Sequence, residues 1–364
     1  MEGTGLGAYD EVSSAYVRAW VQEDFGVDLT GVERVRLGAD EAAVLWRGAS
    51  RSGTTYAVKL SGGGSPAGLL VPADLAQQGV PGVVAPIPTP TGRLWTERAG
   101  RRLFVVPWLS GARALDGGMG AQHWVSLGKV LAQVHASAVT AAVRDVLPVE
   151  DHTHDRVASA VPLVESRLSA AGHQPADRRD ASDDLVAALA QEWRGGAARQ
   201  VAALLDAADE LGRRLRRQQA PAVLCHGDPH LGNVLLDGAR EVWLLDWDDA
   251  VLAPRERDLM FVLGGVLAFA PVTPQQQSWF FAGYGDADLD PMRLAYYRCT
   301  RALEDVVYPA AQVVDVARYA AWERADALSI LRGVLSPTGL VARALSSLRE
   351  LGLPSARPTL VNDA

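Results

Sequence analysis

The chain has almost no lysine. Among its 35 basic side chains only Lys59 and Lys129 are lysines, and the rest are arginines. Basic charge is short overall: 43 carboxylates outnumber it, leaving a net charge of −8. That balance argues against nucleic acid as the main partner and mildly favours a cationic ligand. Cysteine is equally scarce. Cys225 and Cys299 are too few for a disulfide framework, so reduced thiols are expected, as in the cytoplasm. Long apolar runs are missing too: FVLGGVLAFA at 261–270 is well short of a membrane span. The opening MEGTGLGAYDEV is acidic and polar, unlike a signal peptide. A soluble cytoplasmic protein with no membrane partner is the expectation.

What is present is ordinary globular material, 48% hydrophobic and 21% charged over 364 residues. Residues 12–25 carry helical spacing. From 32 to 107 the texture becomes short β-rich runs: VERVRL (32–37), AAVLWR (42–47), TYAVKL (55–60), GVVAPI (82–87), GRLWTE (92–97) and RLFVVPWL (102–109). Runs at this spacing predict an antiparallel sheet. SPAGLLVPADLAQQG (65–79) is the helical candidate among them. Beyond about 110 the pattern is helical, with AQHWVSLGKVLAQVHAS (121–137) placing Trp124, Leu127, Leu131 and Val134 on one stripe. A β island interrupts it: AVLC (222–225), NVLLD (233–237) and EVWLLD (241–246). The expected organisation is α+β and bilobal. Residues 1–107 form a β-rich lobe with one helix, and 108–364 a mostly helical lobe carrying a small β-hairpin, with a hinge near 106–112.

The densest chemistry lies in HGDPHLGNVLLDGAREVWLLDWDDA, 226–250. The segment 237–241 reads as a hairpin turn. If Asp237 pairs with Val242 across four loop residues, Asn233 faces Asp246, with Cβ atoms about 5 Å apart. An amide oxygen and a carboxylate so placed suit Mg²⁺, which takes few protein ligands together with phosphate oxygens. Asp228, five residues before Asn233, enters the hairpin beside them. An Asp, an Asn five residues on and a further Asp in the next strand is the spacing of a kinase catalytic loop. Phosphoryl transfer needs placement and charge neutralisation more than covalent chemistry, so this set suffices for its centre. Lys59, in the third β run, supplies a compact cation for nucleotide phosphates.

With those residues on the page, the chain resembles the aminoglycoside phosphotransferase family, which has the protein-kinase-like fold. HGDPHLGN matches the family's HGDxHxxN signature and LLDWDDA its metal-binding Asp. APRERDLMF (253–261), GYGDADLDP (283–291), LAYYRCTRALEDV (294–306), GVVAPIPTPTGRLW and WVSLGKVLAQVH resemble the spectinomycin phosphotransferase branch. The resemblance implies that Asp228 orients and deprotonates the acceptor hydroxyl, that Asn233 and Asp246 hold Mg²⁺, and that Lys59 holds the phosphates of ATP or GTP. It implies that the backbone around Val106, Trp108 and Leu109 reads the adenine edge and that His226 braces the catalytic loop. It also places the helix of Glu304 and Asp305 beside the acceptor. With Asp248 and Asp249 these acids would form a negative rim for a cationic antibiotic such as spectinomycin or a related aminoglycoside.

Two departures accompany the resemblance. The turn Gly38-Ala39-Asp40-Glu41 is not a GxGxxG loop, and the helix after Lys59 offers Asp74 but no glutamate to pair with it. Two other readings compete. One is a kinase for another small hydroxylated metabolite or a nucleoside antibiotic. The other is a metal-dependent hydrolase using His226, Asp228 and His230. Pro229 opposes the strand that second triad needs, and His152 and His154 read as exposed loop histidines. Ala253-Pro254 comes seven residues after Asp246, which leaves no room for an activation segment and disfavours a protein substrate. Cys225 reads as packing and Lys129 as surface, while Trp247 is either core or cleft wall.

Overall fold

The structure, a computed structural model, describes residues 12–35, 43–171, 181–218 and 220–353. The turn Gly38–Glu41 lies outside the described residues. Helix α1 (Ser14–Phe25) begins where Ser13 Oγ accepts the Tyr16 N–H at 3.4 Å and ends on left-handed Gly26, φ 68°. Val17, Val21 and Phe25 recur four apart and are buried.

Five strands follow: β1 (Leu29–Val35), β2 (Ala43–Ser50), β3 (Thr55–Ser61), β4 (Thr96–Arg98) and β5 (Arg101–Pro107), with helix α2 (Ala67–Gln77) after β3. They form one antiparallel sheet in the order β1-β2-β3-β5-β4. The strand period of two divides the sheet into unlike faces. Val44, Trp46, Val58, Leu60, Leu103 and Val105 form a core with the buried face of α1. The other face carries two cross-strand rows, Leu45–Lys59–Phe104 and Arg47–Ala57–Val106. Of the six expected β runs, 82–87 is not a strand. Pro86 and Pro88 supply no N–H to a ladder, and the segment contributes a single bridge from Val83 to Leu244. The run 92–97 shrinks to Thr96–Arg98.

The chain divides into two compact units, one of 1–148, 226–251 and 279–285, the other of 149–225, 252–278 and 286–364. The first unit contains the β1–β5 sheet, the helix Ala121–Ala136 and the hairpin Val234–Asp237/Glu241–Leu244. The second is helical, with Asp155–Ala171, Ala198–Leu215, Pro291–Val314, Ala321–Leu335 and Leu340–Glu350 sharing a core that includes Leu204, Leu211, Leu303, Val306 and Leu331. Residues 321–350 reach a mean hydropathy of 1.2 over a membrane-length window. They are nevertheless two helices of 15 and 11 residues, broken at extended Ser336.

Candidate active site

The loop 226–233 is built by its own side chains. His226 is fully buried, donates from Nε2 to the Leu245 carbonyl at 2.9 Å and accepts the Asp228 N–H on Nδ1 at 3.2 Å. Its ring lies 4.5 Å from that of Trp247, which is buried and donates from Nε1 to the Leu244 carbonyl at 3.1 Å. Trp247 is therefore core. Gly227 takes φ 89°, and a Cβ there would overlap the Asp249 carbonyl, so only glycine lets the loop run this close. His230 opens a 3₁₀ turn, Leu231–Asn233, by accepting the Gly232 N–H on Nδ1 at 2.9 Å. Its Nε2 sits 3.6 Å from Asp228 Oδ2. The hydrolase triad thus loses its ligands: both His226 nitrogens and His230 Nδ1 are spent on the loop's own backbone. His152 and His154 are not exposed either. His152 is buried at φ 55°, and only 8% of the His154 side chain is exposed, 3.4 Å from Asp209. Burial and then Arg293 and Arg216 hold the His152 imidazole below its ordinary range.

Asn233 is anchored at three points. Its Nδ2 donates to the Asp228 carbonyl at 2.9 Å, its N–H to the His230 carbonyl at 2.9 Å, and its own carbonyl accepts the Leu245 N–H at 2.9 Å. The hairpin register differs from the expected one. Gly238 at φ 64° closes the turn in three residues, Asp237 pairs with Glu241 and Val234 with Leu244. Asp246 therefore does not face Asn233 across the ladder. It follows the strand end at φ 64°, a left-handed bend that a short polar residue tolerates at some cost. A one-residue slip alone would move Asp246 to the opposite sheet face; that bend, not strand pairing, sets its direction. The donor set still suits a hard cation. With its Nδ2 committed, Asn233 keeps an amide oxygen, and Asp246 is an exposed carboxylate.

Lys59 lies in the third strand as expected, opposite Leu45 and Phe104 and on the same face as Val106. The Trp108 N–H already donates to the Thr55 carbonyl at 2.9 Å, so that group serves the sheet. The Trp108 ring instead carries the Arg47 guanidinium 5.2 Å above it. Leu109 follows at half-buried exposure.

The four expected rim acids have unlike surroundings. Asp249 is exposed. Asp248 is half-buried, and its Oδ1 accepts the Ser65 N–H at 3.2 Å. Burial pushes its carboxyl up, Lys59 pulls it back, and Asp246 and Asp249 add to the rise. Glu304 and Asp305 belong to the other unit and answer arginines. Asp305 sits 2.9 Å from Arg301, while Glu304, then Glu150, keep buried Arg257 charged against desolvation. Lys129 is exposed, and Cys225 is packing: its buried thiol is raised well above the ordinary range by desolvation and donates to the Ala253 carbonyl at 3.5 Å. The contact of Asp248 with the loop before α2 escaped sequence reasoning. Its one signal was the run SGGGSPAG at 61–68, which marks a close backbone approach.

The sequence profile of the phosphotransferase enzyme family matches residues 71–297, more than half of the chain. Among solved structures, a spectinomycin phosphotransferase in complex with ADP and spectinomycin is similar at 24% identity and TM-score 0.76, covering 93% of this chain and 99% of that one. An amicoumacin kinase solved with AMP-PNP and Ca²⁺ is similar at 18% identity and TM-score 0.57, covering 89% and 92%. An aminoglycoside phosphotransferase from Alicyclobacillus acidocaldarius follows at 19% identity and TM-score 0.54, covering 91% and 95%. These likenesses give the fold, α+β and protein-kinase-like. No curated protein sequence matches the chain significantly.

Proposed function

The chain belongs to the phosphotransferase enzyme family, and from that premise we propose that it moves the γ-phosphoryl group of ATP or GTP to a hydroxyl of a cationic small molecule, spectinomycin or a related aminocyclitol or aminoglycoside. One observation carries the reading. Asp248 Oδ1, two residues beyond Asp246, accepts the Ser65 N–H at 3.2 Å, just past the end of the lysine strand at Ser61, so that strand and the hairpin exit lie within one compact unit.

In this reading residues 1–107 bind the nucleotide. Lys59 neutralises its phosphates from the sheet face it shares with Val106. The backbone of Val106 and Leu109 reads the base, with the Trp108 ring beside it, and the hinge is near 106–112. Residues 108–364 supply catalysis and acceptor binding. Asp228, held by the His226 and Asn233 bonds to its backbone, orients the acceptor hydroxyl and takes its proton as the new O–P bond forms and the bond to the β–γ bridging oxygen breaks, releasing ADP or GDP. Asn233 and Asp246 would hold Mg²⁺, which supplies neutralisation of the charge developing between the β- and γ-phosphates. Asp249, exposed at the hairpin exit, carries negative charge that favours an ammonium-bearing acceptor.

A panel of acceptors in a coupled ADP-release assay tests the substrate class: spectinomycin, other aminoglycosides, a nucleoside antibiotic and choline. Spectinomycin or a relative should give the highest kcat/KM, and turnover confined to choline or the nucleoside overturns the assignment. Asp228→Asn should cut acceptor-dependent turnover by about a thousandfold or more. A variant within about tenfold of wild type would overturn the assigned base.

A further inference from the structure

Two arginines of the helical unit share one place. Arg298, on the helix Pro291–Val314, is half-buried. Its Nη2 donates to the Leu263 carbonyl at 2.6 Å and its Nη1 to the Ser347 hydroxyl at 2.8 Å. Arg343, on the helix Leu340–Glu350 that also carries Ser347, reaches the same turn: a Cβ on Gly264, at φ 97°, would overlap its Nη1. Two guanidiniums from two helices thus converge on residues 263–264, and both Arg298 acceptors are neutral. Neither arginine forms an ion pair among the described residues. Burial, then the Arg343 charge, hold the Arg298 guanidinium below its ordinary range. Glu350 opposes this from an exposed helix end, where it accepts the Ser346 hydroxyl at 3.2 Å. The backbone beside the pair is short of acceptors too. Gly265 and Val266 are buried, and their N–H groups meet no acceptor among the described residues. Buried N–H groups without a partner are rare in folded chains.

We infer that this turn binds a small oxyanion of the class of inorganic phosphate, held by Arg298, Arg343 and the N–H groups of Gly265 and Val266. Two fixed cations favour a dianion over a single carboxylate, and planar guanidinium forks suit phosphate oxygens. Bound there, the ion joins the helices Pro291–Val314 and Leu340–Glu350 to the turn, and so acts on the stability of the helical unit. Lys59, Asp228 and Asp246 belong to the other compact unit. The inference is therefore independent of the reaction proposed above.

Melting of the full chain tests this, with sodium phosphate replacing sodium chloride at fixed pH and ionic strength. Wild type should gain about 2–4 °C at about 20 mM phosphate, and the gain should saturate. Sodium acetate at the same ionic strength should give a smaller gain. Arg343→Gln removes a cation that makes no side-chain hydrogen bond among the described residues. Without phosphate it should melt no lower than wild type, because a like charge has left Arg298, and the phosphate gain should disappear. The gain should persist in Arg349→Gln, an exposed arginine of the same helix, and in Lys59→Met. Five results would overturn the inference. They are no gain with phosphate, an equal gain with acetate, a gain undiminished in Arg343→Gln, an Arg343→Gln chain that melts lower without phosphate, or a gain lost in Arg349→Gln or Lys59→Met. Loss in Lys59→Met would put the phosphate in the nucleotide site instead.

Discussion

Two groups of acids, one in each compact unit, obey opposite rules. In the helical unit Glu150, Glu304 and Asp305 answer arginines: Arg257 is buried between carboxylate charges and lies 5.9 Å from the Tyr297 ring centre, and Arg301 joins Asp305 at 2.9 Å. At the hairpin exit of the other unit, burial pushes the Asp248 carboxyl up, the Lys59 charge opposes it, and Asp246 and Asp249 add to the rise. Like charges this close cost stability unless a cation joins them. Compensated acids build structure. In the proposed reading the crowded acids at the hairpin exit serve a cation that arrives with the nucleotide.

The largest test of that contrast is Asp246→Asn. Removing one crowded charge should leave melting temperature unchanged or raised, yet lower kcat by about a hundredfold or more, with the Mg²⁺ requirement shifted upward. A loss of stability with turnover intact would place Asp246 among the structural acids. Gly227→Ala comes next. The left-handed φ of 89° and the adjacent Asp249 carbonyl leave no room for a methyl group. About 1–3 kcal/mol of strain should fall on the catalytic loop. Turnover should drop further than global stability, as denaturant unfolding run beside the kinetic assay would show.

The site was legible where spacing alone carries the chemistry. Asp228 and Lys59 stand on the loop and the strand expected for them, whereas Asn233, expected to open the strand opposite Asp246, closes the 3₁₀ turn before it. The hairpin register was not legible. The loop is three residues because Glu241 pairs with Asp237, and sequence alone leaves four loop residues as plausible as three. GVVAPI looked like a strand because its apolar residues alternate, yet its prolines withhold the donors a ladder needs. The pairing of Asp248 with a loop some 180 residues away could not be read, since nothing local links them. The link of Glu304 to Arg257 was equally hidden, whereas Arg301, one helical turn before Asp305, is the i,i+4 partner that the sequence already offered.

A smaller effect separates the two groups from the helical side. Glu304→Gln leaves buried Arg257 with less opposing charge, so stability should fall by about 1–3 kcal/mol. If acceptor KM rises about tenfold instead with stability intact, Glu304 belongs to the substrate and not to the arginine network. Urea unfolding with acceptor titration distinguishes the two.

The smallest effect tests the rule inside the unit of the β1–β5 sheet, where Asp24 is arginine-answered. Asp24 on α1 accepts from Arg98 Nε at 2.9 Å and from Thr96 Oγ1 at 2.7 Å, tying the helix to β4. The Arg98 hydrogen bonds hold its carboxyl below the ordinary range despite some burial. A depressed folded-state pKa contributes stability that is present above the unfolded value and is lost as pH falls through the folded one. Wild type should therefore lose melting temperature more steeply than Asp24→Asn as pH drops from about 5 to about 3. At neutral pH the two should differ by only about 1–3 °C, because a partly exposed pair is screened by solvent. Turnover per folded molecule should not change at all. Parallel melting curves would show Asp24 outside the rule, and a loss of turnover at full stability would mean that an arginine-answered acid can also belong to the chemistry.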